Sequence, residues 1–286
     1  MKKRWHRRRF VEAFIKGLMF VSFVIVAGCL GLILWAVISK GLPALNWDMI
    51  SKTPKGGFYM GKEGGVLNAI IGSLYLASGG TFLALLLSLP IALYLKTYLG
   101  KSDWGRYVRL SLDVLWGIPS IVYGAFGFII MLALGIRASL LAGIIVLGLI
   151  ELPIMVRAMD EVIRRMPTDL EQAALALGST RLEVALHVVS RQMLPGIITA
   201  ILLAFGRGIG DAASVLFTAG YTDRIPTSLM QPTASLPLAV FFQLSTPYPA
   251  VQQRGYASAV ILTIIVLVIS LSSRWISGRL NKYTVK

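Results

Sequence analysis

The 286-residue sequence is poor in the residues on which metal sites, disulfide bonds and soluble surfaces depend. Its single cysteine, Cys29, excludes an internal disulfide, a four-cysteine zinc site and a CxxC redox pair. Its two histidines, His6 and His187, have no partner at metal-ligand spacing, so we predict no metal site. Charged residues make up only 14% of the chain, against about 25% in soluble domains, which argues for a membrane protein.

Motifs for nucleotide binding and hydrolysis are also missing. Gly100-Lys101-Ser102 resembles the end of a phosphate-binding loop, but Leu95 stands where that loop has its first glycine. The stretch 206–210 resembles a dinucleotide-binding pattern, but Asp211 occupies the position of the third glycine. The sequence contains neither HExxH nor GxSxG. We therefore predict no cofactor and no catalytic residue in this chain.

Long apolar runs are abundant, since 56% of the residues are hydrophobic and the mean hydropathy is +0.74. A helix needs about 20 apolar residues to cross the hydrocarbon core of a bilayer. Six stretches meet this requirement and predict an all-α polytopic membrane protein with six transmembrane helices, at residues 17–39, 67–95, 114–136, 138–156, 195–218 and 255–273. Within 114–136, we expect the third helix to start near the break at Gly117-Ile118-Pro119-Ser120.

Basic residues are distributed unevenly between the segments that join these helices. Twenty of the 28 Lys and Arg residues lie at the termini and in the second and fourth connections, seven lie in the other connections, and Arg207 lies inside the fifth helix. Because basic segments stay in the cytoplasm, both termini are predicted to be cytoplasmic, and the net charge of +15 needs no nucleic-acid partner. Val26-Ala27-Gly28-Cys29 resembles a lipoprotein processing site, but the apolar run continues to Ile38, so we interpret the first helix as uncleaved.

The segment 157–194 is the longest predicted cytoplasmic loop, and its sequence predicts two short helices. Thr168-Asp169-Leu170-Glu171 and Thr180-Arg181-Leu182-Glu183 both have the pattern of a capping box, in which a threonine and a glutamate three residues later cap a helix together. Gly178, between them, suits the left-handed residue that ends a helix. The elbow at 168–190 either fits a groove on a partner or rests on the bilayer surface, and the residues alone favour neither.

Span five carries two charges that a bilayer penalises by at least ~2.5–3.5 kcal/mol each. Arg207 and Asp211 are four residues apart and are predicted to share one helix face. In one interpretation, Arg207 offers donors to a passing oxyanion, Asp211 holds it in place, and Glu151 of span four pairs with it in one state of the protein. The alternative is a permanent salt bridge that locks two helices together. Gly206 and Gly210 predict close helix packing.

Several motifs resemble the permease subunits of ABC transporters. Gln172-Ala173-Ala174-Leu175-Ala176-Leu177-Gly178 is similar to their EAA loop, with Gln172 at the usual glutamate position. Three further stretches resemble motifs of phosphate permeases, closest to the PstA-type subunits: 117–124, 203–213 and 230–238. In the second of these, Asp211 replaces the family's glutamate. The resemblance covers roughly residues 66–277.

This resemblance implies the type I ABC importer permease fold, in one transmembrane domain over residues 1–286 with its core at 66–277. In the family, the loop that corresponds to 157–194 docks onto ATPase subunits. The residues that it implies for this coupling are Glu171, Gln172, Ala173, Ala174 and Gly178. The implied mechanism is alternating access, with Arg207, Asp211 and Glu151 along the substrate pathway.

The partners that the resemblance implies are a second permease subunit of the PstC type, a dimer of cytoplasmic ATP-binding subunits, and a periplasmic or lipid-anchored phosphate-binding protein. The chain would cross the bacterial inner membrane and import inorganic phosphate, while its partners hydrolyse ATP. Two alternatives remain open from the residues. One is a permease for another oxyanion, namely sulfate, molybdate, tungstate or a phosphonate. The other is an anion channel or secondary transporter without ATPases.

Overall fold

The computed structural model describes residues 2–55, 63–100, 102–164 and 166–280, and most of them are helical. Met1, residues 56–62, Lys101, Arg165 and residues 281–286 of the predicted domain lie outside this described part. A short antiparallel pair joins β1 (Pro54–Lys55) to β2 (Glu63–Gly64). The helices are α1 (Lys2–Gly41), α2 (Trp47–Ser51), α3 (Leu67–Tyr94), α4 (Asp103–Gly117), α5 (Ser120–Ala133), α6 (Leu140–Arg164), α7 (Thr168–Ala176), α8 (Arg181–Glu183), α9 (Ser190–Gln192), α10 (Leu194–Gly208), α11 (Leu236–Leu244) and α12 (Pro249–Leu280).

Three short helical turns complete these elements. A 3₁₀ turn at Leu42–Ala44 follows α1, and wider π-helical turns at Leu95–Leu99 and Val184–Val189 follow α3 and α8. π-helical turns leave an irregular step in the backbone and are often found at functional sites. The first π-helical turn follows α3, and the side chain of Arg109 on α4 contacts both of its ends.

The number of membrane spans agrees with the prediction. Four segments of the described chain are long and apolar enough to cross a membrane: Val11–Ala44, Leu67–Leu99, Leu140–Arg164 and Pro249–Ile276. Two further helix pairs meet the same requirement together, α4 with α5 at a bend of 94° and Arg181–Gln192 with α10 at a bend of 72°. If each bent pair is one span, the total is six.

The start of span three agrees with the prediction, whereas the helix of span four is longer than predicted. Span three begins with α5 at Ser120, because Pro119 ends the preceding helix and disfavours helical backbone at Ile118. The helix of span four continues to Arg164, so residues 157–164 are helical and not part of an irregular loop. These eight residues contain no glycine or proline, and Pro167 supplies the first stop signal.

The largest departure from prediction is in span five. The helix α10 ends at Gly208, whereas the predicted span continues to residue 218. The chain then runs without a regular helix from 209 to 235, and its backbone groups bond both to the start of the α6 region and within the segment itself. The amide of Ser139 donates to the carbonyl of Thr218 over 2.9 Å, and the amide of Thr233 donates to the carbonyl of Ala219 over 2.8 Å. Irregular backbone is tolerated at membrane depth where protein surrounds it or where it lines a cavity.

Helices α3 and α6 pack against each other at the centre of the bundle. Their contact is lined by small residues: Ala77 and Ala84 are completely buried, and a Cβ on Gly148 would lie 3.1 Å from the carbonyl oxygen of Gly80. Lipid tails are as apolar as leucine, so helices in a membrane gain stability mainly from such close packing. This pair therefore forms the rigid frame that carries the candidate site.

The long helix α1 lies at the edge of the bundle. It packs against α12, and Gly41 at its end comes so close that a Cβ would lie 2.6 Å from the carbonyl oxygen of Tyr256. Most of its apolar side chains are exposed on the isolated chain, including Phe14, Phe23 and Leu32. This helix offers a broad apolar surface to lipid or to another membrane subunit.

Candidate functional site

Glu151 lies in the middle of α6, and its side chain is completely buried. One carboxylate oxygen, Oε2, accepts a hydrogen bond of 2.8 Å from Thr81 Oγ1 on α3. The other oxygen, Oε1, has no hydrogen-bond partner among the described residues. A buried carboxyl group with an unsatisfied oxygen is costly, so packing alone does not explain Glu151.

The unpaired oxygen of Glu151 lies against the end of α10. A Cβ on Gly208 would overlap Oε1, so only glycine allows this approach. By contrast, a Cβ on Gly206 would meet its nearest atom at 3.9 Å, and one on Gly210 at 3.7 Å. The prediction that Gly206 and Gly210 pack closely against another helix is therefore wrong. Because α10 ends at Gly208, Gly210 no longer lies on a helix face.

Arg207 occupies the last turn of α10, and its side chain is exposed on the isolated chain. Its charge and that of Asp211 both act on Glu151, so the three predicted pathway residues lie in one region. Among the described residues, Arg207 forms no ion pair with either acid. The alternative prediction, a permanent salt bridge that locks two helices together at Arg207, therefore finds no support among the described residues in this conformation. The partial negative charge at the end of α10 stabilises the guanidinium.

Asp211 does not share a helix face with Arg207, so this part of the prediction is wrong. It lies three residues beyond the end of α10, and its Oδ1 accepts a hydrogen bond of 3.0 Å from the amide of Ser214. Aspartate competes in this way for backbone amides and favours turns over helix interiors. With glycines at 208 and 210, it explains why the helix ends here and an irregular segment begins.

A broken span gives this region the chemistry of a polar site inside a membrane protein. Helix ends leave backbone groups unpaired, and transport proteins place such ends where ions and polar substrates cross the bilayer. The irregular segment adds a buried hydroxyl, Ser214 Oγ, that has no partner among the described residues. The arrangement combines a guanidinium without an ion pair to the described part of the chain, two nearby carboxyl groups and polar backbone.

The elbow at 168–190 has the predicted two-part form. Its helices α7 and α8 are joined through Gly178, whose backbone is left-handed with φ +88°. The second capping box is confirmed, since Thr180 Oγ1 accepts from the amide of Glu183 and the Glu183 carboxylate accepts from the amide of Thr180. The first is wrong: Pro167 takes the capping position, and the Thr168 side chain forms no cap.

The residues predicted for coupling lie along α7 and differ in exposure. Gln172 and Ala173 are exposed, while Ala174 is partly buried against the core of the bundle. Glu171 is also partly buried, and its Oε1 forms an ion pair of 2.9 Å with Lys96 Nζ at the end of α3. Leu177, beside Gly178, is 88% exposed, which is unusual for so apolar a side chain.

Two contact residues of these sites were missed by sequence reasoning. Thr81 is one of several hydroxyl residues in the apolar run 67–95, so its polarity alone did not distinguish it. Lys96 is the first charged residue after span two, which alone indicates only the membrane boundary. No cluster of three side chains able to hold a metal ion occurs in the described parts of the chain.

A family model described as "Binding-protein-dependent transport system inner membrane component" matches residues 84–285. The chain belongs to this family. Members of the family are multi-pass inner-membrane subunits of importers. Three curated relatives are similar over most of their length, each named a phosphate transport system permease protein: PstA of Haemophilus influenzae (31% identity; 95% of both chains), PstA 1 of Mycobacterium tuberculosis H37Rv (34%; 94% of this chain and 88% of the relative) and PstA of Xylella fastidiosa Temecula1 (35%; 83% and 82%).

Two solved ABC transporters have a similar fold. An inward-facing MetNI methionine ABC transporter matches with a TM-score of 0.61 at 18% identity, covering 74% of this chain and 94% of the other. A bacterial alginate ABC transporter, solved with an alginate-bound periplasmic protein, matches with a TM-score of 0.58 at 14% identity, covering 92% and 96%. The predicted importer-permease fold is confirmed, and this binding-protein-dependent permease is a transport component.

Proposed function

We propose that this permease is the PstA-type subunit of an ATP-driven importer for inorganic phosphate. The relatives that share 31–35% of its residues over most of the chain support the substrate class. In this proposal residues 1–286 form one transmembrane domain with both termini in the cytoplasm. ATP is hydrolysed by partner subunits, so the chain itself is not an enzyme.

The observation that carries the pathway is the state of Arg207. It is an exposed guanidinium at a helix end within a span, and no ion pair with any described residue neutralises it in this conformation. A guanidinium binds tetrahedral oxyanions through two parallel hydrogen bonds. The nearby acids, Asp211 and Glu151, and the negative end of α10 reduce the positive electrostatic potential around Arg207. Phosphate is then held weakly enough to be released, as a transport pathway requires.

The coupling function is assigned to α7 and the turn after it. Gln172, Ala173 and Leu177 are exposed and present a small, partly apolar surface that fits a groove on a cytoplasmic ATP-binding subunit dimer. Glu171 and Ala174 face the bundle and connect this surface to the spans. A second permease of the PstC type completes the pathway, and a periplasmic or lipid-anchored phosphate-binding protein delivers the substrate.

Labelled phosphate uptake into vesicles that contain the complete assembly tests this function. We expect uptake that requires ATP inside the vesicle and the binding protein outside, and that excess sulfate or molybdate leaves unchanged. Equal competition by sulfate or molybdate would show a permease for another oxyanion. Uptake without ATP, or failure of an ATP-binding subunit to co-purify with the chain, would instead show a channel or secondary transporter.

A further inference from the structure

A buried ion pair joins α4 to α6 near the cytoplasmic end of the bundle. Arg109 Nε donates to Asp160 Oδ2 over 2.9 Å, and Arg109 Nη2 donates to Asp160 Oδ1 over 3.2 Å. Asp160 is 1% exposed and Arg109 is 9% exposed. Two parallel bonds from one guanidinium fix both distance and orientation, so the relative position of the two helices is closely defined here.

The remaining donors of Arg109 bind the end of α3. Nη1 donates to the carbonyl of Gly100 over 3.1 Å, and Nη2 also reaches the carbonyl of Leu95 at 3.4 Å. These carbonyls lie at the two ends of the π-helical turn Leu95–Leu99 and its following glycine. We call this arrangement the arginine clamp: Arg109, Asp160 and the carbonyls of Leu95 and Gly100. Through one side chain on α4, it ties α6 to the turn that follows α3.

The same π-helical turn is connected to the cytoplasmic elbow. Lys96, within the turn, forms the 2.9 Å ion pair with Glu171 on α7, and both side chains are largely shielded, at 15% and 24% exposure. A continuous polar path therefore runs from α7 through the turn and Arg109 to Asp160. It links the proposed docking helix to the two helices at the centre of the bundle.

Those two helices carry the candidate site. Glu151 precedes Asp160 by nine residues on α6, a distance of about 13.5 Å along a helix, and Thr81 lies on α3, upstream of the turn. Helix α6 is also bound to α4 by Arg157, whose Nε lies 2.7 Å from Asp113 Oδ1. Short, directional contacts therefore connect α7 to the two helices that carry the hydrogen-bonded pair Thr81 and Glu151.

Packing alone does not account for the clamp. Apolar side chains of similar size often stabilise a buried site as well as an ion pair does, whereas ion pairs fix register and orientation. Two further cations on α6, Arg157 and Arg164, each lie 3.8 Å from Asp160 Oδ2. The negative charge of Asp160 therefore faces cations from its own helix and Arg109 from α4. The cluster is arranged to hold one geometry.

We propose that Arg109 and Asp160 are positioning residues that transmit the movement of α7 to α3 and α6, and so keep ATP hydrolysis coupled to transport. This inference rests on the proposed function as an ATP-driven importer. It predicts that a broken clamp leaves ATP hydrolysis running while less substrate crosses the membrane.

The test is the number of ATP molecules hydrolysed per phosphate imported by the complete reconstituted assembly. Asp160→Asn keeps the size of the side chain and removes its charge, and we expect the ratio to rise at least about fivefold, the lower end of typical coupling factors between sites. Arg109→Lys keeps the charge but loses the paired donors, and we expect a similar rise. The matched control is Arg106→Gln on the same helix, whose ion pair with Asp103 is exposed; its ratio should equal that of the wild type.

The ratio separates positioning from simple stability, because partial unfolding lowers ATP hydrolysis and import together and leaves the ratio unchanged. An unchanged ratio in Asp160→Asn, in an assembly whose wild type imports phosphate with ATP, overturns the inference. If Asp160→Asn does not assemble, Lys96→Gln replaces it, because Lys96 is closer to the surface. A raised ratio of ATP hydrolysed per phosphate imported then supports the inference, and an unchanged ratio overturns it. A wild-type assembly that imports no phosphate refutes the proposed function instead.

Discussion

Replacing Gly208 with alanine tests the contact between α6 and α10. A Cβ at this position would overlap Glu151 Oε1 and lie 3.1 Å from its Cδ and 3.4 Å from Leu147 Cδ2. Glu151 must then move, which strains its 2.8 Å hydrogen bond from Thr81. Overpacking of this kind costs about 1–3 kcal/mol, so we expect the purified assembly to melt at a temperature roughly 2–10 °C lower in a thermal unfolding assay.

Gly206→Ala is the matched control on the same helix, because its Cβ would meet its nearest atom at 3.9 Å. Alanine is also the better helix former, so the melting temperature should stay level or rise. Adding Glu151→Ala to Gly208→Ala removes the overlapping carboxylate and should recover part of the loss. This account of the contact would be refuted if Gly208→Ala and Gly206→Ala lowered the melting temperature equally. It would also be refuted if the double variant Gly208→Ala with Glu151→Ala melted no higher than Gly208→Ala alone.

Three further substitutions test other parts of the site. Thr81→Val removes the hydrogen-bond donor to Glu151 and should destabilise the assembly by about 1–3 kcal/mol in thermal unfolding. The control is Ser88→Ala on the same helix, which should have little effect because, among the described residues, the Ser88 hydroxyl contacts only the sulfur of Met159, at 4.0 Å. Gly178→Val should raise the ATP hydrolysed per phosphate, because valine disfavours the φ of +88°, while Gly178→Asn tolerates it; equal ratios would make the elbow merely structural. Asp211→Asn keeps the turn acceptor and loses the charge, whereas Asp211→Ala loses both; a role in the pathway predicts that both variants slow phosphate uptake, and a purely structural role predicts normal uptake for Asn.

The long spans were predictable because length and hydropathy decide them. Helices α3, α6 and α12 are each longer than 20 residues and mostly apolar, which is what a membrane-spanning helix requires. No local signal in these segments competes with that requirement. Span five was not predictable in the same way. The composition favours a helix through residue 218, but the glycines at 208 and 210 and the side-chain bond of Asp211 stop it after Gly208.

The two capping-box patterns show how one neighbour changes the outcome. Thr180 follows a glycine and a serine, takes extended backbone and caps its helix. Thr168 follows Pro167, which takes the capping position itself, so the threonine becomes the first helical residue. Glu171 is then available for its ion pair with Lys96, a contact between residues too far apart in the sequence for any local pattern to predict.

The buried contacts at the centre of the site follow from tertiary structure for the same reason. Thr81 and Glu151 are 70 residues apart, and Arg109 and Asp160 are 51 apart, so their pairing depends on how the helices pack. The sequence indicated that Glu151 is unusual, since it is an acid inside a span. That Gly208 accommodates its unpaired oxygen appears only once α6 and α10 are placed together.

The most direct test of the pathway is phosphate uptake by the complete assembly with Arg207→Gln. Losing the charged donors removes about 1.5–3 kcal/mol of hydrogen bonding to the anion, so the initial rate should fall roughly tenfold or more while the subunits still co-purify. Arg207→Lys should give an intermediate rate, and Arg279→Gln, which removes an arginine stacked on Trp275 near the end of α12, should transport normally. A normal uptake rate in an assembled Arg207→Gln importer would contradict the claim that the anion passes this guanidinium.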